Sequence, residues 1–289
     1  MLSGFTIVRN AVLLDYPIVP AIRSLLELCD EVVVNVGRSE DGTRDLVTAI
    51  GDPRVRILDA DWEGSSAGGT LAVETNRAMR VCRGAWGVYI QADEVLHESG
   101  AALLRKRLDA WEGDARLEGL LVDYVHFYGD FDTVATNRHW YRREVRVVRL
   151  GGNVCSYGDA QGFRVGAAYR RVRARATGAR MFHYGWARPP ASLERKHAAF
   201  KELFRESVAT LEGRQAAPRL EWTPGLRPFT GAHPRVVQDW IAARRGGAVG
   251  GSALEPRPFR PSDLRLYASD WIERMTGARI FEYRNYVLV

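Results

Sequence analysis

The chain has 289 residues, 46% of them apolar and 26% charged, with a formal net charge of +6. That is enough chain for one large domain, or one domain with a modest extension, and the composition argues against general disorder. Every apolar run falls short of the ~20 residues that span a bilayer, and Phe5-Thr6-Ile7-Val8 lacks a basic flank and runs into Arg9, Asn10 and Asp15, so neither a membrane span nor a signal peptide is expected.

The first β-rich run, Phe5 to Val8, ends at the polar pair Arg9-Asn10. Residues 16–29 then place Ile18, Ile22, Leu25, Leu26 and Cys29 at helical spacing. Val32-Val33-Val34-Asn35-Val36 reads as a buried strand, closed by a polar loop through Arg38 and Asp41 and followed by a helix over 44–50. A third strand (55–58), a helix (72–82) and a fourth strand, Val88-Tyr89-Ile90-Gln91, come next. The alternation predicts a mixed, mainly parallel sheet covered on both faces by helices, with ligands bound beyond the carboxyl ends of the strands. After residue 98 a helix (101–111) precedes two alternating strands, 119–128 and 145–150, expected as antiparallel additions. Beyond Trp186 the pattern turns helical, with an amphipathic stretch over 192–211, Pro- and Gly-rich segments, a helix over 262–275 and a strand-like tail. The expected division is a core domain over 1–190 and a helical, loop-rich extension over 191–289.

Cys29, Cys82 and Cys155 are far apart and have no metal-binding spacing, which argues against a disulfide framework or zinc site. The arginines cluster at 141–149 and 164–180, and clustered guanidinium groups suit phosphate. No nucleic-acid-binding module is recognisable, so no nucleic-acid partner is expected. The apolar strand that delivers Asp93 and Glu94 to its tip has the chemistry to hold a hard divalent cation, Mn2+ or Mg2+, against a diphosphate. The same two acids could equally cap the next helix.

Taken together, these features resemble the GT-A-type glycosyltransferases of the broad glycosyltransferase family 2. The match runs over about residues 4–98: the strand ending at Asn10, the loop from Asn35 to Thr43, Asn76 before the fourth strand, and Gln91-Ala92-Asp93 in the place of an Asp-x-Asp motif. Two departures stand out. Gln91 replaces the first acid, and Val36-Gly37-Arg38 replaces the acid that usually follows the second strand, leaving Arg38 or Asp41 to share nucleotide recognition. The resemblance implies a Rossmann-like GT-A fold and transfer of a sugar, with inversion, from a nucleoside-diphosphate sugar to a glycan or lipid-linked acceptor of the cell envelope. It implies donor contacts from Arg9, Asn10, Arg38, Asp41, Asn76 and Gln91, and a metal shell of Asp93, Glu94 and the late His183. It also implies a carboxylate base in the position of Asp159, with Asp123, Asp130 and Asp132 as competitors. Asp159 follows a glycine, which also suits a plain turn, and His183 lies among aromatic residues and also suits packing. His126 and His139 read as structural. Trp140 and Tyr141 are candidates for sugar stacking, with Arg142 and Arg143 for charge. The implied location is the cytoplasm, with peripheral contact at the inner membrane face open to the basic C-terminal third. Two other readings are a sugar-nucleotide nucleotidyltransferase, against which Arg9-Asn10-Ala11-Val12 lacks a glycine-rich loop, and a degenerate GT-A-like binding protein.

Overall fold

In the computed structural model, residues 1–62, 69–203, 220–245, 254–279 and 282–289 are described. The first half alternates as the sequence predicts: β1 (Leu2–Val8), α1 (Ile18–Leu26), β2 (Glu31–Gly37), α2 (Thr43–Thr48), β3 (Val55–Ala60), α3 (Thr70–Arg80) and β4 (Trp86–Tyr89). All residues of β1, β2 and β4 are buried, which is why they read as continuous apolar runs and not as alternating ones. α1 lays Ile18, Ile22 and Leu25 against the sheet with no exposed surface.

A short β5 (Glu94–Leu96) and α4 (Glu98–Trp111) follow, then β6 (Gly119–Tyr128), β7 (Thr133–Ala135), β8 (Arg143–Arg149), β9 (Val154–Tyr157), β10 (Gly162–Val165) and the 17-residue β11 (Arg170–Trp186). The chain ends with α5 (Pro190–Leu203), β12 (Leu226–Pro228), α6 (Gln238–Arg245), α7 (Pro261–Thr276) and β13 (Tyr286–Leu288). The helix expected over 192–211 corresponds to α5; residues 204–211 of that expectation lie outside the described residues.

The main strand order is β3-β2-β1-β4-β8-β6-β11-β10-β9. β1 pairs in parallel with β2 and β4, and β2 with β3. β8 enters antiparallel to both β4 and β6, whereas β11 runs parallel to β6. The fold is thus the mixed α/β sheet flanked by helices that the sequence pattern implies. β11 alternates exposed or half-buried Arg171, Arg173 and Arg175 with Val172 and Ala174, both fully buried, so much of the second arginine cluster is the outer face of a strand. The extension is joined to the same sheet: β13 pairs in parallel with β11, and β12 pairs antiparallel with β7. Among the described residues, no helix is long and apolar enough to cross a membrane.

Candidate active site

β4 and the residue after it carry Val88, Tyr89 and Ile90 through the core without exposure. The chain then reverses at Gln91-Ala92-Asp93 and returns as β5, which pairs antiparallel with the second half of β11, Glu94 opposite His183. The Tyr184 amide donates to the Asp93 carbonyl at 2.9 Å. Gly185 is required at this seam, because a Cβ there would stand 2.4 Å from His183 Nε2 and 2.8 Å from Asp93 Oδ2. Asp93 and His183, 5% and 8% exposed, therefore face each other with Oδ2 and Nε2 3.8 Å apart.

Asp93 already has cationic partners. Lys196 Nζ, from α5, donates to Oδ2 at 2.8 Å, and Arg188 Nη2 lies 3.6 Å away. Burial opposes ionisation of Asp93, but the charges of Lys196 and Arg188 outweigh it and hold the carboxyl well below the usual range. Burial pulls the Lys196 ammonium down from its ordinary value, against the attraction of Asp93.

The state of His183 follows from its neighbour. His126 Nε2 lies 2.8 Å from the Tyr141 carbonyl, so its N–H donates there, and its Nδ1 is left as an acceptor. His183 Nδ1, 3.0 Å away, must then donate to His126, which leaves Nε2 of a neutral His183 unprotonated and turned toward Asp93. Burial depresses the pKa of both rings, which keeps them neutral.

Glu94 lies elsewhere than the expected metal shell. It is fully buried and its two oxygens accept from Arg146 Nη2 and Nε at 2.8 and 2.9 Å, with the Tyr124 hydroxyl on the first oxygen at 2.7 Å. Both carboxylate oxygens are engaged in a fully desolvated ion pair, leaving none for a cation.

Two clefts meet at this seam. The first, of about 540 Å³, is lined by Arg9, Asn10, Tyr16 and Trp62 among others. Trp62 reaches it by crossing Gly37, where a Cβ would stand 2.7 Å from the indole. The second, of about 950 Å³, is aromatic, with Tyr128, Trp140, Tyr141 and Trp186 in its wall. Gln91, Asp159, His183 and Lys196 line both. Asp159 sits exposed on the turn between β9 and β10, its Oδ1 accepting from the Gln161 amide at 3.1 Å. Gln91 reaches across to the carbonyl of Ala160 on the same turn at 3.4 Å.

The remaining expected donor contacts divide. Arg9 and Asn10 line the first cleft, Arg9 tied to the Arg38 carbonyl at 3.0 Å and Asn10 to the Glu40 amide at 2.9 Å. Arg38, Asp41 and Asn76 do not line it. Asp41 accepts from the amides of Leu13 and Thr43, bracing one loop against another. Asn76 clamps α3 to Ser156 of β9 through a reciprocal pair of bonds at 2.8 and 3.0 Å. Arg142 is bound by Glu273 and Glu282, and Arg143 by Asp123, so neither expected cation faces a cleft. Asp123, Asp130 and Asp132 line neither cleft. His139 lines the second. Tyr16, Trp62, Arg188, Arg195 and Lys196 belong to the site and carry no recognisable sequence signal; the periodicity around Lys196 reads only as an amphipathic helix.

The residues present do not fit a divalent cation. Gln91 is neutral, Glu94 is held by Arg146, and Asp93 is held by Lys196; among the described residues no three His, Cys, Asp or Glu side chains converge as a metal site.

The chain matches no protein-family model and no curated protein. Among solved structures it is similar to TarS of S. aureus, residues 1–349 in complex with UDP, at 18% identity over 44% of this chain and 36% of that one, with a TM-score of 0.35. It is also similar to glucosyl-3-phosphoglycerate synthase from Mycobacterium tuberculosis in complex with Mn2+, UDP and phosphoglyceric acid, at 15% identity over 44% of this chain and 43% of that one, with a TM-score of 0.31. The chain thus spans less than half the length of either, and overlap at these TM-scores transfers neither a substrate nor a residue role.

Proposed function

We propose that this protein is a glycosyltransferase that takes a nucleoside-diphosphate sugar in the first cleft and a glycan or lipid-linked acceptor in the second. The observation that carries this reading is the sharing of Gln91, Asp159, His183 and Lys196 by the two clefts. A sugar handed from one ligand to another needs a nucleophile, a base and charge stabilisation at one junction. The first cleft has the size of a small-ligand site and combines aromatic walls (Tyr16, Trp62) for a base or ribose with Arg9 and Arg195 for phosphate. The aromatic wall of the second suits the apolar faces of sugar rings.

In this mechanism an acceptor hydroxyl attacks the anomeric carbon as the bond from that carbon to the diphosphate oxygen breaks. Asp159 takes the hydroxyl proton, and attack from the face opposite the leaving group inverts the centre. Peripheral membrane contact on the cytoplasmic side belongs to the same reading. α7 presents Leu264, Tyr267, Trp271 and Met275, all exposed and spaced three and four apart, as a surface for it.

A thermal-shift screen of nucleoside diphosphates and their sugars tests the donor side. A matching donor at 100 to 1,000 times its Kd should add roughly 3–4 kcal/mol of stability. With the donor so identified, Asp159→Asn should bind it as the wild type does yet lose about 10²- to 10⁴-fold in transfer rate. Stabilisation by no nucleotide, or full transfer by Asp159→Asn, would sink the corresponding half of the reading.

A further inference from the structure

We infer that the transferase works without a divalent cation, and that Lys196, backed by Arg188, carries the charge a metal ion would supply to the departing diphosphate. This inference rests on the functional reading above and deepens it.

Charge is the first argument. A single carboxylate holding a divalent cation has a net charge of one positive unit. Asp93 with Lys196 at 2.8 Å and Arg188 at 3.6 Å has the same net charge in the same place. A divalent cation added on top would face two resident cations and a carboxylate already engaged, at 5% exposure, where screening is weak.

Geometry is the second. Lys196 is 19% exposed at its side chain and lines both clefts, so its ammonium stands beside Asp93 where a phosphate in either cleft would meet it. Arg188 lies beneath it with no exposed surface, its Nη1 donating to the Leu14 carbonyl at 2.6 Å. Its Nε and Nη2 have no hydrogen-bond partner among the described residues, and beyond the Leu14 carbonyl its charge faces only Asp93 and the Tyr16 ring among them. Burying a guanidinium with two unmet donors is costly, and a site that must neutralise an anion is where such a cost is expected. Third, the residue at the first metal-ligand position is Gln91, whose amide bonds the Ala160 carbonyl, so the neutral side chain has a structural use of its own.

In the transfer step, the acceptor oxygen forms its bond to the anomeric carbon while the carbon–oxygen bond to the β-phosphate breaks. The electron pair of that bond leaves on the diphosphate, the proton goes to Asp159, and the new negative charge develops against Lys196.

The experiment is nucleoside diphosphate binding by calorimetry, with UDP, GDP, CDP, ADP and dTDP as probes, in EDTA and again in MnCl2. Wild type, Lys196→Met and Lys196→Arg are compared, with circular dichroism to establish that each is folded. Electron paramagnetic resonance of Mn2+ reports ion binding directly. The expected result is one diphosphate bound with equal affinity in EDTA and in MnCl2, at least tenfold weaker in Lys196→Met and partly restored in Lys196→Arg, while the Mn2+ spectrum stays that of the free ion. Binding that appears only with Mn2+ overturns metal independence and leaves the glycosyltransferase reading standing. Unchanged affinity in a folded Lys196→Met removes Lys196 from the role. No binding of any diphosphate in either buffer overturns both readings together.

Discussion

His126 and His183 show how one hydrogen bond sets the chemistry of the next residue. The Tyr141 carbonyl fixes the proton of His126, and His126 fixes that of His183. Both rings have pKa values depressed by burial, so the folded protein holds them neutral where the unfolded chain, with an ordinary value near 6.5, would begin to protonate them. The unfolded state therefore binds more protons below about pH 6.5, and stability falls as pH falls, by up to about 1.4 kcal/mol per pH unit for each ring. Denaturation followed between pH 7.5 and 5 should show this slope. His126→Gln, which removes one of the two groups, should flatten it while lowering stability at neutral pH. His233, also depressed by burial, and His183 titrate in both proteins, so the difference between the two slopes isolates the contribution of His126. Equal slopes in the two proteins would count against neutral, buried rings.

At the scale of the element, the turn from β4 to β5 does two jobs with adjacent acids. Asp93 points to the first cleft and Glu94 points into the sheet, because successive side chains of an extended segment face opposite ways. Glu94 and Arg146 are fully buried, and Arg146 also donates to the carbonyls of Val145 and Gln161 and lies over the rings of Tyr89 and Tyr124. Removing one partner leaves a bare charge in the core. Arg146→Met should cost about 3–5 kcal/mol in a urea titration, whereas the double variant Glu94→Met with Arg146→Met should recover most of it. If Arg146→Met costs under ~1 kcal/mol, the pair is not the desolvated anchor described. Such an anchor is invisible in sequence: Glu94 lies 52 residues from Arg146, and only the crossing of β8 beside β4 brings them together. What could be read was the strand–helix alternation over the first 98 residues, because strands buried on both faces leave unbroken apolar runs. β5, β7 and β12, three residues each, are too short to leave a period.

Across the whole molecule, the same distance effect explains which site residues the sequence disclosed. Gln91 and Asp93 follow an apolar strand and His183 lies in the aromatic stretch of β11, so all three could be picked out; Lys196 sits 103 residues from Asp93 on a helix whose pattern says only that one face is polar. Residues of the C-terminal extension are thus part of the site, and much else depends on it. Arg279 donates to the carbonyls of Trp140 and Thr136 at 2.7 Å each, Glu273 and Glu282 hold Arg142, and β13 covers an edge of β11. A chain ending at residue 190 would lose the partner of Asp93, leave that carboxylate buried without its nearest cation, and open strand edges prone to pairing with other chains. Two such losses of a few kcal/mol each rival the 5–15 kcal/mol that stabilise an ordinary domain. The truncated chain should therefore melt without cooperativity or aggregate, and should bind none of the diphosphates that the full chain binds. A cooperative transition at the full-length Tm would mean that the extension is appended to the sheet and does not complete it; diphosphate binding retained in the same fragment would show that Lys196 is dispensable to the donor site.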